Sequence, residues 1–185
     1  MSAWPTHFTA RRAWFTFIRA RFKIWVGDEA RFHVQQAPFR LKEEMIVYSD
    51  AARTTEWLRI QARNIIDFSA TYDVHDTVTG QRVGGLVRKG FRSMFRDTWT
   101  VLDAHDQPIG TVAEPGGMAS LLRRLFRFLP QTYHLTLHGE AAGTFRRRFN
   151  PFQLVYDVAL EGAPSDPRMG LAMSVLLMAI ERRQR

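Results

Sequence analysis

Apolar and polar residues alternate in short runs along most of the chain, and an aspartate recurs two positions after several of these runs. Alternation with a period of two is typical of β-strands. Each run is followed by a short polar stretch and a second apolar run, so the pattern predicts a series of hairpins. Aspartate suits the start of a turn because its carboxylate accepts the backbone N–H two residues later. Four copies fit the repeat: Ile24, Val26, Asp28; Ile46, Tyr48, Asp50; Tyr72, Val74, Asp76; and Trp99, Val101, Asp103.

A fifth copy of the repeat lacks the aspartate and lies further along the chain, at Tyr133, Leu135 and Leu137. The stretch 118–129 lies between the fourth and fifth copies and lengthens the spacing between them. Apolar residues in this stretch follow a helical period, which predicts an inserted helix. One more alternating strand follows over 154–160, before prolines at 164 and 167 end the β pattern.

The last part of the chain predicts a helix over 168–183 that is apolar on every side. Such a helix must be buried on every side. Its twelve-residue apolar run, 169–180, is ~18 Å long as a helix, whereas the hydrocarbon core of a bilayer is ~30 Å thick. We therefore expect this helix to lie in the interior of the protein. We therefore expect a mainly β fold, a closed antiparallel barrel of about twelve strands around a central helix.

The bulk composition fits one globular domain, which we place at 28–185, after a basic aromatic N-terminal segment at 1–27. The 185 residues are 45% hydrophobic and include no cysteine, which excludes disulfides, thiolate nucleophiles and sulfur-ligated zinc. The apolar run 13–18 is too short for a secretory signal. These features predict a cytoplasmic protein.

Basic residues dominate the charge, with a net charge of +8 and arginine at 23 of the 26 basic positions. Arginine binds phosphate in a bidentate manner, which favours a phosphate-bearing partner; a GC-rich genome in which arginine replaces lysine is the alternative explanation. Aromatic residues lie between the basic residues of the first cluster, as in proteins that bind membrane interfaces. The candidate lipid- or anion-binding residues are Arg11, Arg12, Arg19, Arg21 and Lys23; Arg88, Lys89, Arg92 and Arg96; Arg123, Arg124 and Arg127; and Arg146, Arg147 and Arg148.

Other groups of polar residues have simpler explanations. The stretches 73–76 and 103–106 each contain two aspartates and a histidine, which indicates either turn chemistry or a weak calcium-like site. His134 and His138 share a strand face without a third ligand. Because no catalytic constellation and no glycine-rich phosphate loop is present, we expect no enzymatic activity, no metal and no cofactor.

Several stretches together resemble the bacterial branch of the LURP-one-related family, within the tubby C-terminal and phospholipid scramblase superfamily. The resemblance runs from about Phe32 to Gln184, and it implies a closed twelve-stranded barrel around a central C-terminal helix. In the wider superfamily, tubby domains bind phosphoinositide head groups and scramblases are linked to lipid transfer and calcium. The stretches that carry the resemblance are 72–76 with Thr79 and Gly80, 83–86, 99–103 with 108–110, 149–152 and the terminal apolar helix.

Taken together, the sequence predicts a non-enzymatic binding module that engages anionic phospholipid membranes through its arginine clusters. Its expected place is the cytoplasm, at the inner face of the membrane as a peripheral protein. Alternative functions are a nucleic-acid-binding barrel and a scaffold for protein contacts. Scramblase activity is less expected, because the calcium-binding segment of scramblases has no counterpart here.

Overall fold

A computed structural model describes residues 4–13, 21–36, 44–66, 69–88, 98–115, 130–161 and 166–180. These ranges contain twelve β-strands and one α-helix. In chain order they are β1 (His7–Ala13), β2 (Arg21–Val26), β3 (Glu29–Gln36), β4 (Glu44–Tyr48), β5 (Glu56–Ile66), β6 (Ser69–Asp76), β7 (Arg82–Arg88), β8 (Thr98–Leu102), β9 (Pro108–Ala113), β10 (Thr132–Leu137), β11 (Glu140–Arg148), β12 (Gln153–Leu160) and α1 (Pro167–Ile180).

The strands form one closed antiparallel barrel in which every strand pairs with its sequence neighbours. The first strand closes the barrel by pairing with both β2 and β12, so the sheet presents no free edge. The five copies of the sequence repeat become the hairpins β2–β3, β4–β5, β6–β7, β8–β9 and β10–β11. The predicted fold, a closed barrel of about twelve strands with a C-terminal helix, is confirmed.

The N-terminal segment belongs to the barrel, which corrects the proposed boundary at residue 28. Both β1 and β2 lie within 1–27, and they supply two of the twelve strands. The inward-facing residues Phe8, Ala10, Phe22 and Ile24 are at most 5% exposed. The segment looked separate because its arginines hide this alternation of buried and exposed positions.

Alternation places the apolar repeat residues inside the barrel, with one exception. Tyr72 and Val74 are buried, as are their counterparts in the fourth and fifth copies. In the second copy, however, Met45 and Val47 are buried, while Ile46 and Tyr48 are partly exposed. In this hairpin the aspartate therefore follows the last buried strand residue, Val47, by three positions instead of two.

Helix α1 fills the barrel. Asp166 starts it, because its carboxylate accepts a hydrogen bond from the backbone N–H of Arg168 at 2.9 Å, and Pro167 takes the first helical position. The helix packs against β1, β5, β6, β7 and β12. Leu171, Val175 and Leu176 have no exposed surface, as expected for a helix that is apolar on every side.

Close approach of the helix to β12 depends on Gly170, where an added Cβ would lie 2.5 Å from Leu160 Cδ1. The predicted helix extended to residue 183; its last three residues, and the predicted inserted helix at 118–129, lie outside the described residues. Within the ranges given above, no helix has the length and hydropathy needed to cross a bilayer.

Candidate functional site: the basic end of the barrel

Because all neighbouring strands are antiparallel, the connections between them alternate between the two ends of the barrel. We call one the basic end and the other the acidic end, for the charges described below. The connections at the basic end are 14–20, 37–43, 67–68, 89–97, 114–131 and 149–152. Those at the acidic end are 27–28, 49–55, 77–81, 103–107, 138–139 and 161–166.

The sequences of these two sets of connections differ sharply. At the basic end they contain nine arginine and lysine residues against four acidic ones, and eleven phenylalanine and tryptophan residues. At the acidic end they contain six acidic residues against one arginine, and no aromatic residue of these types or tyrosine. As a set, the connections that follow odd-numbered strands are therefore basic and aromatic in sequence, and those that follow even-numbered strands are acidic.

Four of the candidate arginines and lysines face outward from neighbouring strands near the basic end. Arg11, Lys23, Arg146 and Arg148 lie on β1, β2 and β11, with β12 between β11 and β1. Arg148 pairs in register with Val155, Val155 with Arg11, and Arg11 with Lys23. We call these four basic side chains the basic strip. Since neighbouring strands lie ~4.8 Å apart, the row from Arg148 to Lys23 spans ~14 Å.

Two side chains fix the geometry of the basic strip. The guanidinium carbon of Arg11 lies 4.8 Å from the centre of the Trp25 ring, a cation–π contact that restrains the arginine on the barrel surface. The Arg148 guanidinium donates two hydrogen bonds to the carboxylate of Asp157, and this contact raises the pKa of Arg148. Arg148 thus has one acidic partner within the protein, which reduces its net contribution to the strip.

Arg12 is the clearest departure from the predicted surface. It is 4% exposed, and its guanidinium donates a hydrogen bond of 2.5 Å to the carbonyl of Met178 in the last turn of α1. Carbonyls of a last helical turn lack partners within the helix, and a cation is favourable beside them. Arg12 is therefore a structural residue inside the barrel, and we remove it from the candidate binding set.

Arg88 and Arg147 also differ from the strip. Each lies on the same side of its strand as a buried residue, Leu86 and Phe145 respectively, and each is partly exposed at the rim of the basic end. Both arginines therefore lie at the end of the barrel at which α1 finishes. For Arg21 only the backbone, at the start of β2, is described. Outside the described residues lie Arg19, Lys89, Arg92, Arg96, Arg123, Arg124 and Arg127.

The β11–β12 turn carries a feature that the sequence analysis missed. Phe149 and Phe152 are 60% and 73% exposed, and among the described residues only Val78 is a comparably exposed large apolar side chain. The side-chain oxygen of Asn150 accepts hydrogen bonds from the backbone N–H groups of Phe152 and Gln153, both at 2.9 Å. The sequence signal was available, since two phenylalanines enclose an Asn-Pro pair, which is typical of turns.

The aspartates of the acidic end act in turn formation, as the repeat predicted. Asp103 accepts hydrogen bonds from His105 N at 2.8 Å and Gln107 N at 2.9 Å, and these contacts lower the pKa of Asp103. Asp76 accepts hydrogen bonds from the backbone N–H groups of Val78 and Thr79. Asp76 also forms an ion pair, at 2.8 Å, with the guanidinium of Arg168 at the start of α1.

Two arginines bind the other carboxylates of the 73–76 and 103–106 stretches. Arg63 and Arg82 each contact both Asp73 and Asp106, at 2.5 to 2.9 Å. Burial alone would raise the pKa of Asp73, but the two guanidiniums outweigh it and the pKa is lowered. In the part of the chain that the structure describes, no three histidine or acidic side chains are grouped as metal ligands.

A small cavity of about 90 Å³ lies between the first turns of α1 and the wall formed by β7 to β11. Leu86, Leu135 and Met173 contribute to its apolar walls, and Asp103 and Asp166 lie at its margin. Both carboxylates already accept hydrogen bonds, Asp103 within its turn and Asp166 from Arg168. Because the lining is mostly apolar and its two carboxylates are engaged in these contacts, the basic end is the better candidate site.

Comparison with known proteins identifies no relative for this chain, since no family model, curated protein or solved structure matches it.

Proposed function

We propose that this protein is a non-enzymatic module that binds anionic phospholipid membranes with the basic end of its barrel facing the bilayer. The observation that carries the proposal is the difference in charge and aromatic content between the two sets of connections. Basic and aromatic residues together are the composition that binds a lipid interface, because guanidiniums meet head groups while rings enter the boundary region.

The described side chains support this orientation. The basic strip presents Arg11, Lys23 and Arg146 on one side of the barrel near the basic end, each exposed or partly exposed. The acidic end would face away from the membrane, which removes its repulsion from anionic lipids. A uniformly basic surface, as expected from genome composition alone, would give both sets of connections an excess of basic over acidic residues.

We also propose membership of the LURP-one-related family and a peripheral location at the inner face of the cytoplasmic membrane. The twelve-stranded barrel around an apolar C-terminal helix supports the family proposal, since the family implies that architecture. The membrane-linked proteins of the wider superfamily are in line with a lipid-binding role. Phosphoinositide-binding residues of tubby domains are not transferred to this chain.

The test is co-sedimentation with vesicles of phosphatidylserine and phosphatidylcholine, compared with phosphatidylcholine alone. We expect binding only to the anionic vesicles, and marked weakening between low and physiological salt, because the Debye length shortens to ~8 Å. The triple variant Arg11→Gln, Lys23→Gln, Arg146→Gln should bind roughly 100-fold more weakly, since each basic residue near an anionic surface contributes about a fivefold effect.

A matched control separates local charge from net charge. Ala52→Glu, Gln81→Glu and Gln107→Glu change exposed residues of the acidic end and lower the net charge by the same three units. This variant should bind like the wild type. Equal loss in both variants would mean that overall charge, and not the basic end, drives binding. If the wild type ignores vesicles but shifts duplex DNA with a steep salt dependence, the nucleic-acid alternative holds instead.

A further inference from the structure

We propose that the β11–β12 turn, residues 149–152, is a preformed wedge that inserts Phe149 and Phe152 into the lipid interface. This inference rests on the proposed function and extends it, because it assigns an apolar insertion element to a surface otherwise defined by charge. The exposed phenyl rings would insert at the boundary between the head groups and the acyl chains of a phospholipid bilayer.

Exposure of the two rings is the first argument. Phe149 and Phe152 are 60% and 73% exposed and lie in the same four-residue turn, and large apolar groups exposed close together mark interaction sites. Phe149 directly follows Arg148, and the turn connects the two strands that carry Arg146, Arg148 and their neighbour Val155. The rings therefore project from the end of the barrel beside the basic strip.

Rigidity of the turn is the second argument. Asn150 closes the turn by accepting the N–H groups of Phe152 and Gln153, and Pro151 fixes its own backbone angle. Continuous pairing of β11 with β12, from Arg148↔Val155 to Gly143↔Leu160, holds the base of the hairpin. Because the rings are already presented, little conformational entropy is lost when they insert.

Location is the third argument. The exposed aromatic turn lies at the same end as the basic strip, whereas a turn at the acidic end would be repelled from an anionic surface. Arginines would draw the barrel to the bilayer, and the rings would add a contribution that salt does not screen. We therefore expect binding with two components, one sensitive to salt and one dependent on phenylalanine.

The absence of cysteine from the chain allows a direct test. Phe152→Cys carries one environment-sensitive NBD fluorophore, and Val78→Cys, at a residue 60% exposed in a turn of the acidic end, carries the same label as control. With phosphatidylserine vesicles, the label at position 152 should shift to the blue and gain several-fold in intensity. It should also be quenched by nitroxide lipids, while the label at 78 should not respond.

A second measurement uses the unlabelled protein. The double variant Phe149→Ser, Phe152→Ser should bind anionic vesicles roughly 100-fold more weakly at physiological salt, since burial of one phenyl ring contributes at least about tenfold. Val78→Ser should bind like the wild type. Thermal melts should show both variants folded, because the changed side chains are exposed.

The outcomes distinguish this inference from the proposed function. A wild type that fails to bind anionic vesicles at low salt refutes both. A wild type that binds, with no response at position 152 and no loss in the double serine variant, refutes the wedge alone. A blue shift that appears without vesicles and disappears on dilution assigns the rings to a contact between two copies of the chain, and also overturns the wedge.

Discussion

Arg12 and Arg11 are adjacent on β1 yet face opposite sides of the barrel wall, so replacing each by methionine separates stability from binding. Arg12→Met keeps a long apolar side chain inside but removes the donor to the Met178 carbonyl. A hydrogen bond with a charged partner contributes about 1.5–3 kcal/mol, and a buried carbonyl left without that donor costs about the same. Relief of guanidinium desolvation offsets part of the loss, so we expect a net cost of about 2 kcal/mol.

For a domain of this size, about 2 kcal/mol corresponds to a fall in Tm of about 4–8 °C. Arg11→Met removes only the contact with the Trp25 ring, which is worth about 0.5–1 kcal/mol at an exposed site. Its Tm should therefore change by no more than about 4 °C. Melts followed by near-UV circular dichroism, which reports the buried Trp99, measure both.

Vesicle binding should show the opposite order. Arg12→Met, tested well below its Tm, should bind anionic vesicles like the wild type, whereas Arg11→Met should bind more weakly. The reasoning would be refuted if Arg12→Met melted within 1 °C of the wild type, or if both variants lost the same stability. It would also be refuted if Arg12→Met lost vesicle binding while folded, because a buried side chain cannot reach lipid.

Two further predictions concern the helix and its start. Asp76 is 3% exposed, and its carboxylate binds Arg168 as well as two backbone N–H groups. Burial alone would raise the pKa of Asp76. The contacts outweigh the effect of burial, so the pKa is lowered. Because the folded pKa lies below the unfolded one, this stabilisation is complete above about pH 4 and is lost as the pH falls through the folded pKa. Asp76→Asn should therefore lose about 3 kcal/mol at neutral pH and show a shallower loss below about pH 4 in urea titrations; an unchanged acid limb would contradict this role. Leu176→Asp places a charge at a position with no exposed surface, a cost that exceeds the usual stability of a domain, so a cooperative melt with native near-UV signal in this variant would contradict the buried-helix architecture.

Much of the fold follows from local pattern. The tyrosine, tryptophan and leucine residues of the third to fifth repeats alternate cleanly, and each turn aspartate has an obvious role, so the hairpins are predictable. Because the C-terminal helix is apolar on every side, its position inside the barrel is also predictable. What the pattern obscured was β1, where the charged Arg12 occupies an inward position that the alternation rule assigns to an apolar residue.

The candidate site was only partly predictable. Arginine clusters are visible in the sequence as four separate groups, but the basic strip, which joins Arg11 and Lys23 to Arg146 and Arg148, depends on the pairing of β12 with both β1 and β11. Nor does the sequence distinguish the partly exposed Arg11 from the buried Arg12, because the two residues are identical in type and adjacent. The pairing of Arg148 with Asp157 joins residues of neighbouring strands, and it too requires the register of β11 and β12.

Closure of the barrel by β1 and β12 has a consequence for biosynthesis. Strand β1 is synthesised before the other strands, and it cannot pair with β12 until β12 has been synthesised. The helix that fills the interior is synthesised after both. Chains emerge from the ribosome at roughly 5–20 residues per second, so β1 remains without one of its two neighbours for several seconds. During that interval the inward apolar face of eleven strands has no helix to cover it. We expect a nascent chain that is bound by general chaperones until α1 has emerged, and a folding step that begins only when α1 is free to enter.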